Sequence, residues 1–322
     1  MSRRVSMADV AARAGVSGQT VSRVVNDSPR VDPATRARVE AAMADLGYRP
    51  HRAARALRTG RSQTIGLIVS TLATVGNSRM LQAVADAAAS RGYALTVVTA
   101  TGAEALADAF ERLHDHGVDG AIVLNEASAI ARGAEMPGDL RLVVVDAPDD
   151  SRFAVVRSDH AAGALAATAH LLEAGHRTVW HIGGPAASFA AVEREAGWRA
   201  ALAGITAPDV LRGDWSAASG HRAGEALATL PEVTAVFAAN DQMALGVLRA
   251  FADAGRRVPE DVAVIGFDDV PDSADFRPPL TTVRQDFDAL GERAVAALIA
   301  AIDGVDTGVE VVPTRLVLRE SA

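Results

Sequence analysis

At 322 residues, 49% of them hydrophobic, the chain has the length of about two domains and enough apolar content for a sizeable core. It contains no cysteine, which excludes disulfides, thiolate metal sites and a cysteine nucleophile. The net charge is −8, yet residues 1–62 hold twelve arginines against five acids (+7), and the remainder holds 20 arginines against 35 acids (−15). A basic head on an acidic body is the asymmetry expected when one end of a chain meets polyanionic phosphate. No apolar run approaches the ~18 residues that cross a bilayer. No apolar stretch follows the arginines near Met1 either, so a cytoplasmic protein with no membrane partner is expected.

Met7 to Ala14 reads as a short helix, with Val10, Ala11 and Ala14 on one face. Gly15-Val16-Ser17 breaks it: the glycine permits a tight turn, and Ser17 is suited to cap the next helix. That second helix runs from about Gln19 to Asn26, with Val21, Val24 and Val25 as its core stripe and Gln19 and Arg23 on another, outward face. A third opens at Asp32 as N-cap with Pro33 in the first helical position, carries Val39, Ala42, Met43 and Leu46 inward, and stops at Gly47. Three short helices with a tight turn between the first two make a helix-turn-helix, whose second helix enters the major groove of double-stranded DNA. Gln19 and Arg23 suit bidentate pairing with adenine and guanine. Ser6, Thr20, Ser22 and Asn26 suit phosphate contacts, which position the head without reading sequence. The next segment, Arg49 to Gly60, is basic and helix-prone but has too little apolar surface to hold a helix alone.

The stretch Val5-Ser6-Met7-Ala8-Asp9-Val10-Ala11 through Val16-Ser17-Gly18-Gln19-Thr20-Val21-Ser22-Arg23-Val24-Val25-Asn26 resembles the head of the lactose-repressor family of transcription regulators. The resemblance implies a DNA-binding domain at 1–48, a hinge helix at 49–61 and an effector-binding, dimerising domain at 62–322. It places Ser17 and Gly18 among the DNA contacts, with Gly18 standing where the family's first base-reading side chain usually sits. In the hinge it implies contacts from His51, Ala54 and Leu57, the leucine wedging into the minor groove, a known way to kink a duplex. His51 stands where the family more often has Asn.

Beyond residue 62, β-branched apolar runs at Thr64–Val69, Ala94–Thr99, Gly120–Leu124, Leu142–Asp146, Thr178–Ile182, Ala235–Ala238 and Val262–Phe267 alternate with Ala-rich helices such as Ser78–Arg91. Repeated βα units imply an α/β body of parallel sheets, with ligands bound at the carboxyl ends of the strands. No GxSxG, GxGxxG, GxxxxGK[ST] or HExxH motif occurs, so neither an enzyme nor a bound cofactor is expected. His114 and His116 close a helix before Gly117 and read as solvated residues, not metal ligands, and His176 and His181 flank a strand and read as structural. Polar residues collect at the strand ends instead: Asp146, Asn240-Asp241 and Asp268-Asp269, with Arg194 at the start of a helix and Trp215 after Gly213-Asp214. Carboxylates, amides and an Arg fork suit vicinal hydroxyls, and an indole stacks on a sugar's apolar face. Spacing alone favours the plainer roles, Asp241 or Asp268 as a helix cap and Trp215 as core.

Arg194-Glu195-Ala196-Gly197-Trp198, Gly213 to Gly220, Ala239 to Gly246 and Pro278 to Phe287 are similar to segments of the same family, so the resemblance runs from about Val5 to Leu318. It implies two lobes like those of periplasmic sugar-binding proteins, with the chain crossing between them more than once. Asp146, Arg194, Asn240 and Asp268 would bond sugar hydroxyls, Trp215 and Phe287 would pack on the ring, and Ser70 and Gln285 would lie at the rim. Ser158 stands where an aromatic would line the pocket, and Val75-Gly76 alter a loop over its apolar end. The chain closes at Ala322 with no heptad-patterned tail, so a homodimer on a pseudo-palindromic operator is expected. The expected function is a repressor that releases DNA on binding a small sugar, a galactoside first. The alternative is a corepressor such as a purine in the same cleft.

Overall fold

The computed structural model describes residues 5–25, 28–48, 60–125, 140–305 and 308–322. They fall into two compact units, one ending at Ser62 and one beginning at Gln63.

The first unit is three helices: α1 (Met7–Ala14), α2 (Gly18–Val25) and α3 (Pro33–Leu46). Val10, Ala11, Val21, Val24, Val39 and Ala42 form its buried core, one stripe from each helix. The ends follow from cap chemistry. Ser6 and Asp9 form a reciprocal capping box, Asp32 Oδ2 accepts from Thr35 N at 3.0 Å, and Gly15 (φ 65°) and Gly47 (φ 62°) take the left-handed conformation that ends α1 and α3. α2 begins one residue earlier than the sequence suggests, because Ser17 supplies the cap: Thr20 N donates to Ser17 Oγ at 3.1 Å. An Arg13–Asp45 ion pair at 2.8 Å joins α1 to α3.

The second unit holds two six-stranded sheets. In chain order its elements are β1 (Thr64–Val69), α4 (Val75–Ser90), β2 (Ala94–Thr99), α5 (Ala103–Asp115), β3 (Gly120–Leu124), β4 (Arg141–Val145) and β5 (Ala154–Ser158). Then come α6 (His160–Glu173), β6 (Trp180–Gly183), α7 (Phe189–Ala201), β7 (Leu211–Arg212), α8 (Ala217–Ala228), β8 (Ala235–Ala238), α9 (Asp241–Asp253) and β9 (Ala263–Asp268). A 3-10 turn (Pro271–Asp275), β10 (Thr281–Arg284), α10 (Phe287–Ile302), β11 (Val309–Val312) and β12 (Arg315–Val317) complete it. The lobe 1 sheet has the order β11-β5-β4-β3-β1-β2, and the lobe 2 sheet β12-β10-β9-β8-β6-β7. All neighbours are parallel except β10 and β12. The chain therefore crosses between lobes three times, at 158–160, 285–287 and 312–315.

Strands covered on both faces must be apolar throughout, which is why β3 and β8 are buried at every residue. One face of the lobe 1 sheet packs on α4 and α10 through Met80, Val84, Leu290, Val295 and Leu298, so a helix from late in the chain completes the early lobe. α6 and α7 cover one face of the lobe 2 sheet through Leu171 and Trp198, and α8 and α9 cover the other through Leu227, Val247 and Phe251. Among the described residues no helix is long and apolar enough to cross a membrane.

Candidate functional site

On the first unit, the hydrophobic stripe of α2 decides which side chains face out. With Val21 and Val24 buried, Ser17, Gly18, Gln19 and Arg23 are exposed, and Thr20 and Ser22 are half-buried. Ser17, just before the helix, and Gly18, Gln19 and Arg23 on it thus face solvent. Ser17 and Thr20 also serve the fold, their hydroxyls 3.0 Å apart. The Ser6 hydroxyl caps α1, with Asp9 N donating to it at 3.3 Å and Ser6 Oγ donating to Asp9 Oδ2 at 2.7 Å. Asn26, His51, Ala54 and Leu57 lie outside the described residues.

In the second unit, the carboxyl ends of the strands of both lobes border a cleft of about 460 Å³. Seven residues expected from the sequence line it: Asp146, Arg194, Trp215 and Asn240, with Asp268, Gln285 and Phe287. Ser70, immediately after β1 and half-buried, is not among the lining residues. Val75 and Gly76 form the first turn of α4, not a loop, because Thr74 takes the extended N-cap conformation, and Gly76 lines the cleft. Arg194 sits in the second turn of α7, not at its start. Asp241, beside Asn240, does not line the cleft. Its Oδ2 accepts from Val270 N at 2.9 Å and Ser273 Oγ at 2.6 Å, and its Oδ1 from Thr282 Oγ1 at 2.5 Å.

The buried polar residues close a ring that passes through both lobes. Ser158 N, at the end of β5, donates to Asp146 Oδ1 at 3.1 Å. His160 Nε2, at the start of α6, lies 2.9 Å from the same oxygen, a close contact not aligned as a hydrogen bond. Arg194 Nε donates to His160 Nδ1 at 3.4 Å, and Arg194 Nη2 pairs with Asp268 Oδ1 at 3.4 Å. Gln285 Nε2 donates to Asp268 Oδ1 at 2.6 Å, and Ser158 Oγ donates to Gln285 Oε1 at 2.7 Å, returning to the starting residue. Every member is less than a tenth exposed. Arg194 Nη1 also donates to Ala239 O, and the guanidinium lies 3.9 Å above the Phe267 ring and 5.5 Å from that of Trp215.

This ring leaves defined chemistry for a ligand. Among the described residues, Oδ2 of Asp146 and of Asp268 accepts no hydrogen bond, so two carboxylate oxygens remain for hydroxyl donors. Burial works against the charge of Asp146, but His160, Ser158 N–H and Arg194 outweigh it and hold that carboxyl below its ordinary value. Burial dominates at Asp268 and raises its pKa in spite of Arg194 and Gln285, and burial lowers that of Arg194. Asn240 Oδ1 caps α9 by accepting from Met243 N at 2.9 Å, and its Nδ2 donates to Trp215 O at 3.0 Å, which ties the indole to the strand end. Trp215 lies against Gly184, where a Cβ would overlap the indole. Four cleft residues hold positive φ without being glycine: Asn125 (48°), Asp146 (51°), Trp215 (72°) and Asp268 (114°). Such strained positions gather where the surrounding structure must aim side chains at a ligand.

Sequence reasoning missed several residues here. His160 lies in a helix with no strand-end signal, and Ser158 was visible only as a departure from an expected aromatic. Asn77 and Met80, in the first two turns of α4, and Ser188, the N-cap of α7, also line the cleft. Asn125 follows the apolar run of β3 as Asp146 follows β4, so the strand-end rule reaches it. The other histidines serve elsewhere. His181 is stacked between Trp198 and Phe237, and burial pushes it down to about 4. His176 Nδ1 lies 3.0 Å from Thr234 Oγ1, and His114 and His116 are exposed at the end of α5.

Residues 6–51 match the bacterial regulatory proteins, lacI family, and residues 168–322 match the periplasmic binding protein-like domain. The chain is 37% identical over 329 residues to the lactose operon repressor of Klebsiella pneumoniae, covering 99% of this chain and 93% of that one. Among solved structures it superposes on the lac repressor dimer bound to operator and the anti-inducer ONPF with a TM-score of 0.89, at 35% identity and 99% coverage of both chains. It superposes on the transcriptional regulator CelR–cellobiose complex with a TM-score of 0.72, at 33% identity, covering 99% of this chain and 100% of that one. With these identities over nearly its whole length, the chain belongs to the lacI family of bacterial regulatory proteins and is a DNA-binding transcriptional repressor.

Proposed function

We propose that this repressor acts in the cytoplasm as a homodimer and releases a pseudo-palindromic operator when a small sugar, of the galactoside class, enters the cleft. In this reading residues 1–48 hold the DNA, with Gln19 and Arg23 reading bases, residues 49–61 order on the operator with Leu57 as wedge, and residues 62–322 bind sugar and partner. The observation that carries the sugar is the closed ring around Asp146 and Asp268. It occupies the inward lone pairs with protein donors and leaves two carboxylate oxygens beside Trp215 for a hydroxylated ligand. An indole face and aimed acceptors together suit a pyranose.

The ring joins residues of both lobes, so a ligand bonded to it favours one arrangement of the lobes over another. A ligand shifts the DNA-binding equilibrium only through its different affinity for the two states, typically ~1–3 kcal/mol per linked site. The test is a band shift on DNA upstream of this gene and its neighbours, with a panel of galactosides, other sugars and purines. Release by one sugar class supports the reading, whereas tightening by a purine replaces it with corepression.

A further inference from the structure

His160 opens α6 and belongs to the ring without lining the cleft. It is 1% exposed, with the Phe189 ring 6.3 Å and the Phe267 ring 5.9 Å away. α6 covers the lobe 2 sheet, whereas Asp146 follows β4 of lobe 1, so at this imidazole lobe 2 meets a carboxylate of lobe 1. The charged groups around it are Asp146 from lobe 1, and Arg194 and Asp268 from lobe 2. Asp159, the preceding residue, uses Oδ1 to cap α6, accepting from Ala162 N at 3.1 Å.

The two ring nitrogens meet opposite chemistry. Arg194 Nε only donates, so its bond to His160 Nδ1 at 3.4 Å requires a lone pair there. A neutral imidazole then carries its proton on Nε2, the nitrogen 2.9 Å from Asp146 Oδ1. That contact is unaligned and leaves Nε2 buried without a hydrogen-bond partner, while every other link of the ring is a hydrogen bond or an ion pair.

A second proton would go to Nδ1 and set N–H against N–H. Arg194 is held in place against it: Nη1 donates to Ala239 O, Nη2 pairs with Asp268, and the guanidinium lies over Phe267. The charges of Asp146 and Asp268 attract that second proton and the charge of Arg194 repels it. Ligand hydroxyls donating to the two open carboxylate oxygens would satisfy part of the negative charge that holds an imidazolium. Ligand and second proton therefore compete.

We propose that His160 is a positioning residue for the effector, which binds with the imidazole neutral and protonated at Nε2, so that binding in acid expels the Nδ1 proton to solvent. This rests on the reading that a sugar bonds Asp146 and Asp268, and it adds a dependence of the effector response on pH.

The full-length protein is to be titrated calorimetrically with methyl galactoside, lactose and melibiose between pH 5.5 and 8, each in two buffers of different ionisation heat. For a sugar that binds, affinity should fall towards tenfold per pH unit at the acid end, the slope of one linked proton, with matching proton release. Nitrogen NMR of the histidines at that end should show one ring pass from doubly protonated to Nε2-protonated as sugar is added. Neither measurement needs a variant. His160→Leu removes both nitrogens, whereas the Oδ1 of His160→Asn can still accept from Arg194. At pH 8 the leucine variant should therefore bind about tenfold more weakly than the asparagine variant, the effect of one buried donor left unsatisfied. The pH slope should be gone from both, with melting curves to check their fold. Wild-type affinity that is level with pH, or no histidine that changes state, overturns the coupling and leaves the sugar reading standing. So does equal binding by the two variants, or a slope that survives in both, which assigns the proton to a carboxyl. If no sugar binds wild type at any pH, the sugar reading fails and the coupling with it.

Discussion

Arg194 and Trp215 meet in the cleft with the guanidinium 5.5 Å from the indole, and each is held by neighbouring groups of the protein. The guanidinium is engaged by His160, Ala239 O and Asp268. Trp215 is fixed from behind by Gly184 and at its carbonyl by Asn240. Trp215→Ala should therefore weaken sugar binding roughly 30-fold or more, while operator affinity in a band shift without sugar stays near wild type. Equal sugar response from the two proteins would remove the indole from the site. Asp241 makes a prediction about pH. Burial raises its carboxyl, the charge of Asp268 adds to that, and the two outweigh three hydrogen bonds, leaving it at about 7. The unfolded chain loses this proton near pH 4, so from there to about pH 7 the folded state binds more protons and stability falls as pH rises. In Asp241→Asn that fall should be absent. Urea unfolding at pH 5 and pH 8 should show wild type losing on the order of 3 kcal/mol more than the variant across the interval.

At the scale of elements, strand ends and helix starts do the aiming. β3, β4 and β9 end in the cleft, and Asn125, Asp146 and Asp268 are the first residues free to turn at those ends. Apolar runs in the sequence find these strands, which are buried for most of their length except the edge strand β2: β1, β2, β3 and β8 lie where their apolar runs lie, and β4, β6 and β9 shift by one or two residues. β7, β11 and β12 are two to four residues long and partly exposed at sheet edges, too short to show a period. α8 and α9 approach closely through glycines on both sides, where a Cβ on Gly220 would overlap Met243 backbone and one on Gly246 would overlap Ala217 O. Backbone cannot move aside as a side chain does. Gly246→Ala should accordingly cost ~3 kcal/mol or more, measurable as a lowered urea midpoint, and a neutral substitution would mean the two helices are free to separate.

Across the whole molecule, charge and structure divide at the same region of the chain. The head carries +7 and the body −15, so DNA affinity should belong to the head alone. A fragment beginning at Gln63 should keep the sugar affinity of the full chain and lose operator binding, while binding by the full chain should fall steeply with salt. A fragment that lost sugar binding would show that the head completes the cleft.

Local chemistry was legible in the sequence. Cap residues and 3.6-residue stripes defined the three-helix head, and apolar runs defined the central strands. The turn after each strand then pointed to Asp146, Asn240 and Asp268, since those signals depend on neighbours a few residues away. Only the tertiary structure decided the ring. Ser158 and Gln285 are 127 residues apart and meet because the chain crosses between lobes just after each of them. His160 enters the ring through the first turn of a helix. The reason is satisfaction of buried polar groups: each donor and acceptor must find its partner wherever the fold places one, and that partner is set by packing between lobes, not by anything adjacent in the chain.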